Sequence, residues 1–356
     1  MRTRNLARLA AAGLSLSLLV AACGGDDSSS NATTTSAASG SSDLGTPKPS
    51  GETLTLGYSA WPGWFPLAVA KEAGIFDKVG LKVDLRYFTD YLSSLDAMAT
   101  GQIDGNTQTL NDTMFSVASG SPQTIVVVND NSTGNDAIIC DKSVGDKIED
   151  LKGKTIAAEE GVVDHFLLLQ GLKSVGLTQD DIDFRGALTG DAAASFAGGK
   201  FDCVGVFAPF TTQALTRPGS HVVFDSSDFP GTIPDHIVVS PDLIKKRPAD
   251  VQALVDAWYL TLQWIKDHPD KALEIMAKQA DVSVADYKDF AAGTTIFSVD
   301  DALKAFEDSD QPTSLKHTAD LINPFMVSSG LSKTQADLHG LFDPSFTQDY
   351  AKRAGD

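Results

Sequence analysis

The residues with most chemistry to offer stand in short loops that follow apolar runs. Trp61-Pro62-Gly63-Trp64-Phe65 gathers two indoles and a phenyl ring in one loop, stiffened by a proline that fixes its own backbone angle. Planar or cationic solutes stack on such faces, and the competing use is a hydrophobic plug beneath the loop. Asp90-Tyr91 pairs a carboxylate with a phenol, although Asp90 could equally cap the helix that follows. Gln108, Thr109 and Asn111 supply amides and a hydroxyl. Asn135 and Asp136 close a polar run that starts at Asn129, and Asp136 could serve a ligand or the turn itself. Glu160, Asp164 and His165 stand where a helix begins, and Phe207 leads the loop that ends at Phe210. A helix start attracts anions, but an aspartate placed there satisfies the helix and repels an anionic solute. Rings, amides and carboxylates together suit a small neutral or cationic nitrogen compound, such as guanidine, urea or an amine. Lys71 and Arg86 are the basic residues near these loops in sequence, and neither lies in one.

The elements that must hold these loops alternate between strand and helix. A strand at Leu54 to Tyr58, a helix to Ala73 closed by Gly74, a strand at Leu81 to Phe88, a helix at Leu92 to Thr100 and a strand ending at Thr109 make one βαβαβ unit. A second unit runs from a strand at Lys154 to Ala158, through helices at Asp164 to Val175 and Asp191 to Ala197, to a strand at Phe201 to Val206. Gly101-Gln102-Ile103-Asp104 and Gly199-Lys200-Phe201-Asp202 occupy the same place in the two units, which reads as two similar α/β lobes. Alternation of this kind calls for a parallel sheet, with ligands outside the carboxyl ends of its strands. After a strand at Asp235 to Ser240 the chain turns mostly helical. Trp258, on the apolar stripe of Ala249 to Asp267, and Trp264 read as packing anchors. Cys140 and Cys203 fall in strands, where two small buried residues are favoured over a disulfide.

Length and charge bound the function. The 356 residues suffice for two domains, and a formal net charge of −19 argues against nucleic acid and against docking to anionic lipid. No zinc-ligand spacing, nucleophile elbow or recognisable pair of catalytic acids is present, so no metal, cofactor or enzymatic chemistry is expected. Residues 1–22 carry a basic start and a short apolar run and read as a secretory signal. Residues 23–51, rich in Gly, Ser and Thr, read as a flexible tether.

Leu19-Val20-Ala21-Ala22-Cys23 resembles a bacterial lipobox, which implies cleavage before Cys23 and a lipid on its sulfur. Further motifs are Gly57-Tyr58 with Trp61-Pro62-Gly63-Trp64, Ala70-Lys71-Glu72-Ala73-Gly74-Ile75-Phe76, Ala99-Thr100-Gly101-Gln102-Ile103-Asp104, Asp150-Leu151-Lys152-Gly153-Lys154 and Gly171-Leu172-Lys173-Ser174-Val175-Gly176-Leu177. Together they resemble the solute-binding proteins of ABC importers in the nitrate/sulfonate/taurine branch. The Trp61 to Trp64 motif with Gly134-Asn135-Asp136-Ala137 is similar to a subgroup found near urea- and guanidine-metabolising genes, although Asp164-His165-Phe166 departs from its pattern. The resemblance implies an α/β, two-lobed periplasmic-binding-protein-like fold of type II, each lobe a mainly parallel sheet flanked by helices. It implies lobe 1 at 52–135 and 237–356, lobe 2 at 136–236, and two hinge crossings, near Asn135–Ala137 and Pro234–Ile237.

The loop ends would then face each other across a cleft. Trp61, Trp64, Phe65, Asp90, Tyr91, Gln108 and Thr109 would meet a ligand from lobe 1, Asn135 and Asp136 from the crossing, and Asp164, His165 and Phe207 from lobe 2. The implied product is a monomeric lipoprotein on the outer face of the cytoplasmic membrane, anchored through Cys23, that captures a small nitrogen-containing solute for ABC permease subunits. The alternatives are a sulfonate, taurine or nitrate binder, an enzyme or binder for a thiamine pyrimidine precursor, and a surface sensor without a permease.

Overall fold

A computed structural model describes residues 44–355 of the chain. The expected signal segment, Cys23 and most of the expected tether lie outside the described residues. The last tether positions make defined contacts. Ser50 donates from its backbone N–H and its hydroxyl to Asp250, and Arg353 donates to the Leu44 carbonyl oxygen.

In chain order the strands are β1 (Leu54–Tyr58), β2 (Val83–Tyr87), β3 (Gly105–Thr109), β4 (Thr124–Ser132), β5 (Asp136–Cys140), β6 (Thr155–Ala158), β7 (Asp183–Gly186), β8 (Cys203–Phe207), β9 (His221–Asp225), β10 (Pro234–Val239) and β11 (Thr294–Ile296). They form two sheets, ordered β11-β4-β10-β3-β1-β2 and β7-β6-β8-β5-β9. The two orders share one pattern. Three neighbouring parallel strands, β2-β1-β3 or β7-β6-β8, are followed by one reversed strand, β10 or β5, and then by β4 or β9. The reversed strand of each sheet is the one that the chain has just carried across from the other lobe.

The chain passes from the first sheet to the second through residues 133–135 and returns through 226–233. Both passages lie slightly ahead of the positions expected from sequence. Asp136 already pairs with Phe207, and Pro234 already pairs with Asn131. Ladder pairing satisfies the backbone of these residues and takes them out of the crossings.

A second departure concerns Asn129 to Ser132. Composition reads this run as a turn, but β4 continues through it. The strand is paired on both edges there, with Asp130 opposite Asp235 of β10 and opposite Ile296 of β11. Pairing on two sides outweighs the low strand preference of Asn and Asp. It also places Asp130 in the interior.

A third departure is covalent. Cys140 and Cys203 are joined by a disulfide. They sit opposite one another on the antiparallel pair β5–β8, so their backbones are already within bridging distance. A bridge of this kind fits an oxidising compartment.

Helices cover both sheets. Trp258, on the long helix Pro248–Asp267, is fully buried in the main core, and Trp264 packs at its margin. Among the described residues, no helix is long and apolar enough to cross a membrane.

Candidate functional site

Four aromatic rings from both lobes close into a ring of their own. Trp61 and Trp64 come from the loop after β1, Tyr91 from the first position of the helix Tyr91–Ala99, and Phe207 from the end of β8. Their centroids stand 6.4 Å apart for Trp61–Trp64, 5.4 Å for Trp64–Tyr91, 6.2 Å for Tyr91–Phe207 and 6.4 Å for Trp61–Phe207. The rings line a cavity together with Thr109, Val163, Asp136 and Asp235. The space is narrow, about 10 Å³, roughly what one water-sized group needs. A solute larger than one water-sized group does not fit unless the lobes part or the lining side chains shift.

The loop carrying the two tryptophans is fixed by a carboxyl group beneath it. The indole Nε1–H of Trp61 donates to Asp130 Oδ1 at 2.9 Å. Gly63 lies so close to the same carboxyl that a Cβ there would meet Asp130 Oδ2 at 1.9 Å. Proline therefore stiffens the loop and glycine lets it settle onto Asp130. The Pro62 carbonyl oxygen accepts a hydrogen bond from the Tyr287 hydroxyl.

The cavity is acidic to an unusual degree. Asp112, Asp130, Asp136, Asp164 and Asp235 are all buried around it. Among the described residues, no lysine or arginine lines it. Asp112 is held by the Thr109 hydroxyl at 2.6 Å and the Asn111 side-chain amide at 2.7 Å. By contrast, both carboxyl oxygens of Asp164 and Asp235, Oδ2 of Asp136 and Oδ2 of Asp130 accept no hydrogen bond from an amide or a cation, and Asp130 and Asp235 lie close enough to share a proton. Unpaired charge in such a place is costly, so burial pushes these groups towards their neutral forms. Burial raises Asp112 and Asp136 to about 7 and Asp130 to about 8, and drives Asp164 and Asp235 well above the usual carboxylate range. Neighbouring carboxylates push further in the same direction. His236, beside Asp235, is depressed by burial to about 3 and stays neutral.

Glu159, at the lobe-2 rim, joins the lobes directly. Its carboxylate accepts the Leu92 N–H in lobe 1 at 3.3 Å and the Thr189 hydroxyl at 2.6 Å. It thereby serves the first turn of the helix Tyr91–Ala99, whose own N-cap, Asp90, makes no side-chain cap bond.

The structure brings Trp61, Trp64, Tyr91, Thr109, Asp136 and Phe207 to one cavity, with Asp164 buried behind it and Asp90 on an adjoining pocket with Glu159. It does not bring the others. Phe65 is in the core against Tyr287. Gln108 is buried on β3, bonded to Thr113. The Asn135 amide is engaged with Thr294 and the Phe290 carbonyl oxygen, tying the crossing to lobe 1. His165 stacks on Phe184 and bonds Gln179 and the Gly161 N–H, a structural post within lobe 2. Glu160 is exposed, and the buried acid at this rim is its neighbour Glu159. Sequence reasoning passed over Asp130, Asp235 and Asp112. For Asp130 no local signal was available, because Asn129 to Ser132 reads as a turn and only pairing with β10 and β11 keeps it in a strand.

Residues 47–280 match the model of the NMT1-like family. The chain belongs to the NMT1-like family. A relative in Escherichia coli, named as a candidate aliphatic sulfonates-binding protein, is 26% identical over 265 residues, 72% of this chain and 82% of its own. The solved alkanesulfonate-binding protein SsuA of Xanthomonas axonopodis pv. citri, bound to MOPS, aligns with a TM-score of 0.68 at 19% identity, covering 82% of this chain and 98% of that one. The desulfurization enzyme DszB aligns with a TM-score of 0.61 at 18% identity, covering 85% and 99%. This NMT1-like chain thus has the two-lobed binding-protein fold. Its cleft chemistry must be read from its own residues.

Proposed function

We propose that this NMT1-like protein is an exported solute-binding protein of an ABC importer that captures a small nitrogen-containing solute. The observation that carries the reading is the aromatic ring of Trp61, Trp64, Tyr91 and Phe207 standing over Oδ2 of Asp136 and the carboxyl oxygens of Asp235, none of which meets an amide or a cation. Aromatic faces attract cations, by about 0.5–2 kcal/mol each depending on desolvation. Such carboxyl oxygens ask for N–H groups, and the narrow cavity asks for a compact molecule. Guanidine, urea and small amines meet these demands. The basic-then-apolar start and the lipobox-like run ending at Cys23 support, on this reading, a lipid-anchored protein at the outer face of the cytoplasmic membrane, where a closed lobe pair would be read by the permease.

A second reading, a sulfonate or related anion, has its own support. Relatives bear sulfonate-binding names, the indole Nε1 of Trp64 has no acceptor, and Val163, which opens the helix Val163–Ser174, lines the cavity. Against it stand the acids: an anion beside Asp136 and Asp235 meets like charge, or needs both kept protonated.

A thermal-shift panel on ligand-stripped protein tests the choice, with guanidine, urea, simple amines, taurine, alkanesulfonates and nitrate. A ligand at about 100 times its Kd stabilises by about 2.7 kcal/mol. Shifts confined to nitrogen bases are expected; a shift with sulfonates alone would replace this reading with the second. Solute recovered unchanged after incubation separates a binder from an enzyme.

A further inference from the structure

The following inference rests on the reading that the cleft takes a nitrogen-bearing solute, and it concerns how the charge of that solute is balanced. Asp130 and Asp235 are cross-strand partners on β4 and β10, both fully buried, and close enough that each bears on the other's charge. From β5, Asp136 turns an oxygen that meets no amide or cation towards the same cavity. Asp112 approaches from the helix Leu110–Ala118, Asp164 from the helix Val163–Ser174 and Glu159 from the end of β6. The remaining titratable neighbours are Asp225 on β9, whose charge bears on Asp136, the neutral His236 on β10, and the phenols Tyr91 and Tyr287, both held in their neutral forms by burial. No face of the site supplies a positive charge among these residues. Among the described residues, no three His, Cys, Asp or Glu side chains are placed to hold one metal ion.

Neighbouring buried carboxyls cannot all ionise together without a counter-charge. In the ligand-free cleft, protons supply it. A cation entering the aromatic ring supplies it instead, and a proton must leave.

We propose that the cleft accepts its cation in exchange for a proton held by the carboxyl group of Asp130, Asp235 or Asp136, and thereby refuses a neutral solute of the same shape. The step balances: the carboxyl O–H breaks, the proton goes to solvent, and the carboxylate left behind faces the incoming cation. The asymmetry between charged and neutral solutes follows at once. A neutral molecule brings no charge to replace the proton, so it meets protonated carboxyls whose O–H groups compete with its own N–H donors.

Guanidinium and urea are a nearly isosteric charged and neutral pair, and titration calorimetry with both tests the proposal. Each is titrated into the protein between about pH 6 and about pH 8, in two buffers of different ionisation enthalpy, so that the number of protons released is read directly. The expected result is release of about one proton per guanidinium bound, with affinity rising up to about tenfold per pH unit on the acid side. Urea should bind at least about 100-fold more weakly, a difference of about 2.7 kcal/mol, and release none. Asp235→Asn, which replaces a buried acid with a neutral side chain of the same shape, should lower the proton count. Guanidinium binding without proton release at any pH overturns the exchange while leaving the nitrogen-solute reading intact. Urea binding as tightly as guanidinium overturns the discrimination. Binding of neither solute, nor of any simple amine, overturns both readings.

Discussion

Two groups of buried aspartates in this molecule are treated in opposite ways. At the back of lobe 1, Asp250 and Asp256 are completely buried, and each has an arginine. Arg353 grips Asp256 with two nitrogens, at 2.7 and 2.9 Å, and Arg247 stands on Asp250. Burial pushes Asp250 up, yet the hydrogen bonds from Ser50 and the Arg247 charge outweigh it and hold the group below the usual range. In the cleft, five buried aspartates have no cation among the lining residues, and burial pushes all five up. The same residue type, closed to solvent contact in both places, is a structural ion in one and an unspent acceptor in the other. A fold that supplies counter-ions where it needs rigidity and withholds them around an aromatic ring has left room for a charge from outside.

The comparison can be broken at its structural end first. Arg353→Ala leaves the buried Asp256 carboxylate with the Gln252 amide but no counter-charge and should cost about 3 kcal/mol of stability, read as a lower denaturation midpoint. In the cleft the corresponding change should do the reverse. Asp235→Asn or Asp136→Asn removes an unpaired acid, so the melting temperature should hold or rise while affinity for guanidinium falls by about 100-fold, or about 2–3 kcal/mol. A loss of stability there comparable to that of Arg353→Ala would erase the distinction.

The pH dependence sharpens it. The cleft acids have folded-state pKa values above the unfolded value of about 4. Each therefore contributes stability that is fully present below about pH 4 and is lost as pH rises through its folded value, about 7 for Asp112 and Asp136 and about 8 for Asp130. Ligand-free protein should melt at progressively lower temperature as pH rises from about 6 to about 8.5, and a bound cation should flatten that slope. Asp250 titrates the opposite way, its contribution falling only as pH drops below about 4. The smallest effect belongs to the rings. Trp64→Leu keeps an apolar wall but removes one aromatic face, and should weaken cation binding by about 1 kcal/mol, or roughly fivefold, as read by calorimetry.

Much of this architecture is legible in the sequence because its signals are local. The helix Pro248–Asp267 falls within one residue of the stripe that apolar spacing puts at Ala249 to Asp267. The two βαβαβ units are equally plain, and so are the rings of Trp61, Trp64, Tyr91 and Phe207. What local signals cannot carry is pairing. Asp130 lies in Asn129-Asp130-Asn131, a run that composition assigns to a turn, and only its two neighbours β10 and β11 keep it in a strand. Asp235 was legible as the start of a strand, but its position opposite Asp130 is a property of the sheet. The bond between Cys140 and Cys203 is of the same kind, set by the β5–β8 register across 63 residues of sequence. Conversely, Phe65, Asn135 and His165 have the chemistry of ligand contacts, and each is taken by a neighbour: Tyr287, Thr294 and Gln179.

The most direct test of the central claim is a crystal structure of the protein grown with guanidinium. The expected result is the planar cation inside the ring of Trp61, Trp64, Tyr91 and Phe207, with nitrogens about 2.7–3.2 Å from carboxyl oxygens of Asp136 and Asp235. A cleft that excludes guanidinium and instead holds a sulfonate or other anion against the Trp64 Nε1–H, with Asp136 and Asp235 turned away from it, would contradict the account.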